Sequence, residues 1–449
     1  MYQLNLFDNQ RITSAEAIEL TMQSLQTYGK DYDHWVISFS GGKDSSTLVT
    51  LTIDLIESGR VPRPESLHVL YADTRMELPP LQMSAMQILS ECKRRGFSTE
   101  VVMAPIERRF LPYILGRGVP PPNNSTLRYC TQNIKLNPMK LAMERLHLRV
   151  NPGLACELDA RNLRMAMGIL PQNYINAISS KSLSTKAILT SAVDKAEIKR
   201  LYQRFSKVKL LSLNGVRIGE SAIRDRRILT SCSKNGSECG QGWFQRDLPD
   251  SICDKLSPIL HWRVCQIWDW LRFDAPGLGF DTEILVDAYG GDEAEEINAR
   301  TGCICCPLAS KDLALDALIQ MPHWSYLAPL KELRHWYLWA RRFDNRLQKH
   351  GEINKDGKLS KNPCRKGPLT IKARQEMLAA VLAIQDKVNT AAIKRGRPLV
   401  NILNQEEINY IHRCHDNQVF PQGWTGDEPI GSELLPQIYS DGTVQPTLF

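Results

Sequence analysis

The sequence predicts an α/β fold: a doubly wound parallel sheet followed by a helical, cysteine-bearing C-terminal region. Three observations predict it. Short apolar stretches alternate with longer helical ones along the N-terminal part of the chain. A glycine-bearing turn follows the first apolar stretch directly. Polar or charged residues follow each stretch, at Ser40–Ser46, Asp73–Glu77 and Ala104–Arg109, which is where such sheets place their ligands.

The elements run as follows. Thr13 and Glu16 have the spacing of a capping box, and Ile18, Leu20, Met22 and Leu25 continue a helix to Tyr28 before Gly29. His34–Phe39 is a strand, Asp44 to Ser58 a helix closed by Gly59, and Leu67–Ala72 a second strand. Pro79 opens a helix to Arg95, closed by Gly96, and Thr99–Ala104 is a third strand. Residues 140–205 lack clear strands and form a helical insertion; Val208–Leu213 returns to the sheet. From about 257 the pattern is aromatic and helical. Segment 354–368 reads as a loop, Ile371 to Val388 as a helix, and the last 25 or so residues as an irregular tail. The organisation expected is an N-terminal helix (1–30), a nucleotide-binding α/β domain (31–256), a helical region with a cysteine cluster (257–415) and the tail (416–449).

The 449 residues suit two to four domains, and 43% hydrophobic with 23% charged residues supply an ordinary core. A net charge of +7 permits a polyanionic partner without requiring one. There is no apolar run of membrane-spanning length, and Met1–Asn5 lacks the basic start of a secretion signal. Twelve cysteines in such a chain point to thiol, metal or redox chemistry in a reducing cytoplasm.

The sharpest local signal is Ser40-Gly41-Gly42-Lys43-Asp44-Ser45-Ser46 between strand and helix. Two glycines allow a tight turn and close approach to a phosphate. The amides opening the next helix form an anion nest, and the helix dipole adds attraction. Ser40, Ser45 and Ser46 carry hydroxyl donors, and Lys43 carries a positive charge. Asp44 is an N-cap or a magnesium-organising carboxylate. The spacing is not that of a Walker loop. Asp73 and Glu77 have a nucleotide role or a helix-capping role. Further on, Arg128 and Lys135 suit a sulfate or phosphate, and Gly215-Val216-Arg217, Glu220 and Arg224 follow a strand. Arg217 and Arg224 bracket room for a second anion, or Glu220 and Arg224 form a surface ion pair.

Cys303-Ile304-Cys305-Cys306-Pro307 is a Cys-x-x-Cys with one more thiol inside it, and Cys232 and Cys239 lie upstream. Four thiolates suit a four-iron, four-sulfur cluster or a structural zinc ion. The expected ligands are Cys232, Cys239, Cys303 and Cys306, with Cys305 able to replace either of the last two. Cys265 and Cys253 are expected in the core. Cys130 stays ambiguous, since a lone cysteine is usually a small buried hydrophobe.

The Ser-Gly-Gly-Lys-Asp-Ser-Ser loop, Ala72–Pro79, Arg128-Tyr129-Cys130-Thr131 with Lys135 and Pro138, Gly215-Val216-Arg217 with Glu220-Ser221, and Pro258-Ile259 with Trp262 resemble the motifs of the ATP pyrophosphatase / phosphoadenosine phosphosulfate reductase superfamily. Thr301–Cys306, Gly367–Arg374 and Gln405–Ile411 are similar to the DNA phosphorothioation proteins of the DndC type, so the likeness spans about 30 to 415. Those proteins usually carry a third cysteine shortly before the Cys-x-x-Cys, and 293–300 has none. The resemblance implies an adenine nucleotide alpha hydrolase-like fold. It implies ATP and Mg2+ at Ser40–Ser46 with Asp73, Glu77 and Arg224. Lys43, Asp44, Arg128, Lys135 and Arg217 would be the catalytic set. The implied partners are DNA, a cysteine desulfurase or other sulfur donor, and further subunits of a DNA-modification complex. The implied reaction adenylates a phosphate of the DNA backbone, after which sulfur displaces AMP. The alternatives are a sulfonucleotide reductase using thioredoxin, a transfer-RNA thiolase, and a nucleotide-sensing subunit without turnover. The reductases' C-terminal Glu-Cys-Gly-x-His segment has only a mid-chain counterpart, Glu238-Cys239-Gly240, without the histidine.

Overall fold

The computed structural model describes residues 12–123, 128–151, 208–219, 225–226, 228, 230, 241–246, 252–289, 303–309, 311–353, 357–358, 360 and 365–431. It also describes the strand backbone at 237–238, 436–438 and 444–446. The chain divides into two compact units. The first comprises Met1–Ala72, Leu81–Val102 and Pro138–Val286; the second comprises Asp73–Pro80, Met103–Asn137 and Asp287–Phe449.

The first unit is built on a mixed, mostly parallel sheet. Its strands are β1 (His34–Phe39), β2 (Ser66–Asp73), β3 (Ser98–Met103), β4 (Leu210–Leu213), β5 (Ser237–Glu238), β6 (Trp243–Gln245) and β7 (Cys253–Ser257), in the spatial order β3-β2-β1-β4-β7-β6-β5. β1 pairs in parallel with β2 and β4, and β4 with β7. The α/β class is therefore as the sequence predicts. The wholly parallel sheet is not, because at one edge β6 pairs antiparallel with β7 and β5 antiparallel with β6. β1 is an interior strand between β2 and β4, and five of its six residues are buried. That explains its near-continuous apolar run, since a strand covered on both faces has no polar side to show.

Helix α1 (Ser14–Gly29) starts on the expected capping box, with Glu16 N donating to Thr13 Oγ1 at 3.2 Å. Its buried face meets the indole of Trp262, whose Nε1 donates to Thr21 Oγ1 at 2.9 Å. Helix α2 (Lys43–Glu57) is almost wholly buried, and Thr50 Oγ1 accepts from Trp270 Nε1 at 2.8 Å. Helices α3 (Pro79–Arg94) and α4 (Asn137–Val150) follow. Ala142 and Leu146 of α4 pack with Val36, Leu70, Val102, Leu210 and Cys253 to form a continuous core on one face of the sheet. Most of the expected insertion, residues 152–207, lies outside the described residues.

The second unit is organised by helix α5 (Ile371–Lys394), N-capped by Thr370. Ala373, Arg374, Met377, Leu378, Val381, Ile384, Val388 and Ala392 form its buried stripe, at the three- and four-residue spacing of one helix face. Arg374 is fully buried and donates to the carbonyls of Leu369 (3.1 Å), Gly116 (3.0 Å) and Val419 (2.7 Å). Helix α6 (Gln405–Asp416) carries a second capping box, between Asn404 and Glu407. Two expectations of irregular chain are corrected. Lys366–Leu369 is a strand paired antiparallel with Arg346–Gln348, and the tail holds a pair at Pro436–Ile438 and Val444–Pro446. Strands this short carry too few residues to display a period.

Burial lowers the pKa of His68, His147 and His415 below the usual histidine value. His147 Nε2 and His415 Nε2 lie 3.1 and 2.8 Å from the carbonyls of Val208 and Leu115, so both rings donate there while neutral. A histidine held below its unfolded pKa binds fewer protons when folded. Its contribution is complete above the unfolded pKa of about 6.5 and is lost as pH falls below it. The melting temperature should therefore be flat from neutral to mildly alkaline pH and drop between pH ~6.5 and ~5, by an amount that His415→Gln and His147→Gln each reduce.

Candidate functional site

In the first unit, the predicted phosphate loop leaves β1 at Ser40 and turns into α2. Gly41 has φ +72°, where an L residue is strained, and a Cβ there would stand 3.0 Å from Ala85 Cβ. Gly42 is the helix N-cap. Ser45 Oγ donates to Gly42 O at 3.0 Å and meets Ser40 N and Oγ at 3.2 and 3.0 Å. This hydroxyl therefore ties the loop together rather than facing a ligand. Ser46 N donates to Gly42 O at 2.9 Å, so the helix's own ladder begins there, and the amides before it open at the N-terminus.

The sheet register brings a second segment to this point. Ile37 pairs with Leu213, so Asn214 and Gly215 leave β4 at the edge where Ser40 leaves β1. A Cβ on Gly215 would stand 3.1 Å from the backbone carbonyl of Asp44. Glycine is thus required where the 214–217 segment lies against the first turn of α2. Arg217, 3% exposed, donates to Asp44 Oδ1 through Nε and to Trp262 O at 3.1 Å through a terminal nitrogen. Lys43 Nζ stands 3.2 Å from the other Asp44 oxygen.

Asp44 is therefore not an N-cap. Its carboxylate is shared by two cations, Lys43 and Arg217. Arg217 faces Asp44 and a carbonyl, and so stiffens the loop. Arg224, Glu220 and Ser221 lie outside the described residues.

The second unit holds the other predicted residues. Asp73 Oδ1 accepts from Arg75 N at 2.8 Å, and Glu77 accepts from Thr74 N and Oγ1 at 3.2 and 2.7 Å. Both carboxylates shape the 73–78 turn. Glu77 pairs with Cys303 as an isolated antiparallel bridge, and Ile304 N donates to Met76 O at 2.6 Å. The Cys-x-x-Cys loop is thereby fixed to this turn, and Cys306 N closes it on Cys303 O at 3.1 Å.

Three half-buried thiols meet here. Burial pushes Cys303 up to about 12, with further upward pushes from Glu77, Cys306 and Cys130 and an opposing pull from Lys135. Burial raises Cys130 as well, and Cys306 adds to it. Glu77 is also raised, chiefly by burial. Cys303 thus feels the charge of Cys306, Cys130 and Lys135, Cys130 feels that of Cys306, and Arg128 is exposed two residues before Cys130.

Sequence reasoning left Cys130 unassigned; the structure places it with the Cys-x-x-Cys pair. It also separates Cys305 from them. Cys305 is buried at φ +50°, and its thiol donates to Leu330 O at 3.1 Å. Cys253 is buried as expected, but Cys265 is exposed, because the short helix Val264–Asp269 turns Gln266, Ile267 and Trp268 inward instead. Cys232 and Cys239 lie outside the described residues.

Among the described residues no three Cys, His, Asp or Glu side chains already stand at metal-ligating distances. Cysteine is the residue type that thiolate-held groups use, and Cys130, Cys303 and Cys306 are free thiols. No family model matches the chain, and no curated protein matches it. Among the described residues, no helix is long and apolar enough to cross a membrane.

Proposed function

We propose that this chain is an ATP pyrophosphatase and sulfurtransferase that activates a phosphate of the DNA backbone for sulfur incorporation. The observation that carries the proposal is the Ser40–Ser46 loop. It lies where β1 ends, opens the α2 amides to an anion, and holds Lys43 beside them. In the proposed reaction, a non-bridging oxygen of the DNA phosphate attacks the α-phosphorus of ATP and pyrophosphate leaves. The oxygen then departs with AMP when sulfide-level sulfur from a donor attacks the DNA phosphorus and loses its proton, leaving the phosphorothioate. Lys43 and the loop amides stabilise charge on the departing pyrophosphate. Arg217 holds Asp44, so Lys43 is kept at the loop mouth.

On the second unit, Cys130, Cys303 and Cys306 would hold an iron–sulfur cluster, with zinc as the alternative occupant. When bound, the cluster supplies soft-ligand and electron-transfer chemistry for sulfur. The chain's own task there is to release the three thiol protons, exclude water by burial, and keep Lys135 near the thiolates.

Charge distribution supports a nucleic-acid partner. Residues 341–372 hold ten lysines and arginines against three acids, a net +7 that equals the net charge of the whole chain. Lys349 and Arg365 lie over the Trp424 ring at 5.1 and 5.4 Å, and Lys366 lies 3.4 Å over Phe343. The rings hold these cations in place. Lys349 and Arg365 share Glu352, and Asp344 pairs with Arg342, so the local excess is smaller than the segment total.

Duplex DNA binding by the full chain should weaken steeply with salt, and Lys349→Ala with Lys366→Ala should lower the slope of log K against log salt by about 2. Thioredoxin and an adenosine phosphosulfate should yield no sulfite. Salt-insensitive or absent DNA binding, together with sulfite release, would move the chain to the reductases.

A further inference from the structure

We propose that Glu407, in the first turn of α6, is a positioning residue for the thiol loop and acts through Arg75. Arg75 has φ +61°. An arginine persists in this left-handed conformation only where its surroundings over-determine it, and here they do. Its amide donates to Asp73 Oδ1, its Nε and a terminal nitrogen reach the two Glu407 oxygens at 3.4 and 3.2 Å, and that nitrogen also reaches Asn401 O at 3.1 Å.

Glu407 is 1% exposed and bound on every side. Arg109 donates to its Oε1 at 3.2 Å, and Asn404 N donates to its Oε2 at 3.1 Å. Arg109 is itself held by Ala104 O at 3.1 Å through Nε. One buried carboxylate thus binds two arginines that lie far away in sequence, 332 residues in the case of Arg75. Removing its charge leaves Arg75 without a carboxylate partner, while Arg109 keeps only the exposed Glu406 at 3.3 Å.

The consequence falls on the next residues. Met76 O receives Ile304 N, and Glu77 pairs with Cys303. The strand-like contact that carries Cys303 therefore begins one residue after the clamped arginine. Helix capping alone does not explain Glu407, because the capping bond from Asn404 N uses only Oε2 and needs no charge. A glutamine would also serve in a capping box but would carry no charge for Arg75 and Arg109.

The inference rests on Cys303 belonging to a thiol site, and the test separates the two ideas. Metal-free full-length protein is alkylated with iodoacetamide, and each cysteine's rate is read by peptide mass mapping. Cys92, buried in the first unit, reports global opening. Glu407→Gln should speed alkylation of Cys303 about tenfold through local opening, with Cys92 unchanged. Arg75→Met leaves the Arg109–Glu407 pair and the α6 cap in place, so it keeps the test open should Glu407→Gln fold poorly; it should give the same effect. The double variant should be no faster than the faster single variant, because both break one clamp.

An unchanged Cys303 rate in Arg75→Met, additive effects in the double variant, or Cys92 rising in step with Cys303 would each overturn the clamp. Cobalt titration of the wild type reads the thiol site independently. A thiolate-to-metal band that weakens in both variants supports positioning. No band in the wild type would remove the thiol-site reading, while the alkylation rates would still decide the clamp.

Discussion

Lys43→Ala is expected to slow ATP cleavage at least about a hundredfold, the usual cost of removing one preorganised charge from a phosphate-handling site, while leaving the melting temperature unchanged. The second half of that expectation follows from the ion-pair geometry. Lys43 and Arg217 share Asp44, and Arg217 is the buried partner. Deleting Lys43 leaves Asp44 paired, so no buried charge is orphaned. Arg217→Ala should behave oppositely. It strands Asp44 against the lysine alone and opens a hole beside Trp262 O, costing about 3 kcal/mol of stability. Thermal melts beside initial-rate measurements distinguish the two variants. Equal loss of stability in both would mean that the loop is held together differently from this account.

The second large effect concerns the thiols. In anaerobically prepared protein, Cys303→Ala, Cys306→Ala and Cys130→Ala should each remove most of the bound iron and acid-labile sulfide. Cys305→Ala should retain both and lose only about 1 kcal/mol of stability, from the buried thiol–carbonyl hydrogen bond. The contrast comes from placement. Cys305 is turned by its positive φ toward Leu330 O, whereas Cys306 and Cys130 both push Cys303 upward. Loss of iron in Cys305→Ala but not in Cys130→Ala would reverse the assignment.

Much of the first unit was legible because its signals are local. A strand buried on both faces reads as His34–Phe39 does, a capping box reads as Thr13 and Glu16, and a glycine turn between strand and helix reads as Gly41–Gly42. The edge strands Trp243–Gln245 and Ser237–Glu238 were not legible, since their pairing is set by β7 rather than by their own few residues. The candidate site divides the same way. Its residue types could be read, but its groupings depend on distant pairing. Gly215 needs the β1–β4 register to reach Asp44, Cys130 needs the Cys303 loop, and Arg75 needs Glu407. Asp44 itself reads as a cap or a metal ligand, and only the fold brings Arg217 against it.

In the proposed reaction the Ser40–Ser46 loop splits a nucleotide at its α-phosphate. The most direct measurement is product analysis after incubating anaerobically purified protein with ATP, magnesium and duplex DNA, with Lys43→Ala in parallel. The account predicts AMP and pyrophosphate in equal amounts from the wild type, stimulated by DNA and lost in the variant. ADP and phosphate, or unconsumed ATP with DNA present, would contradict it.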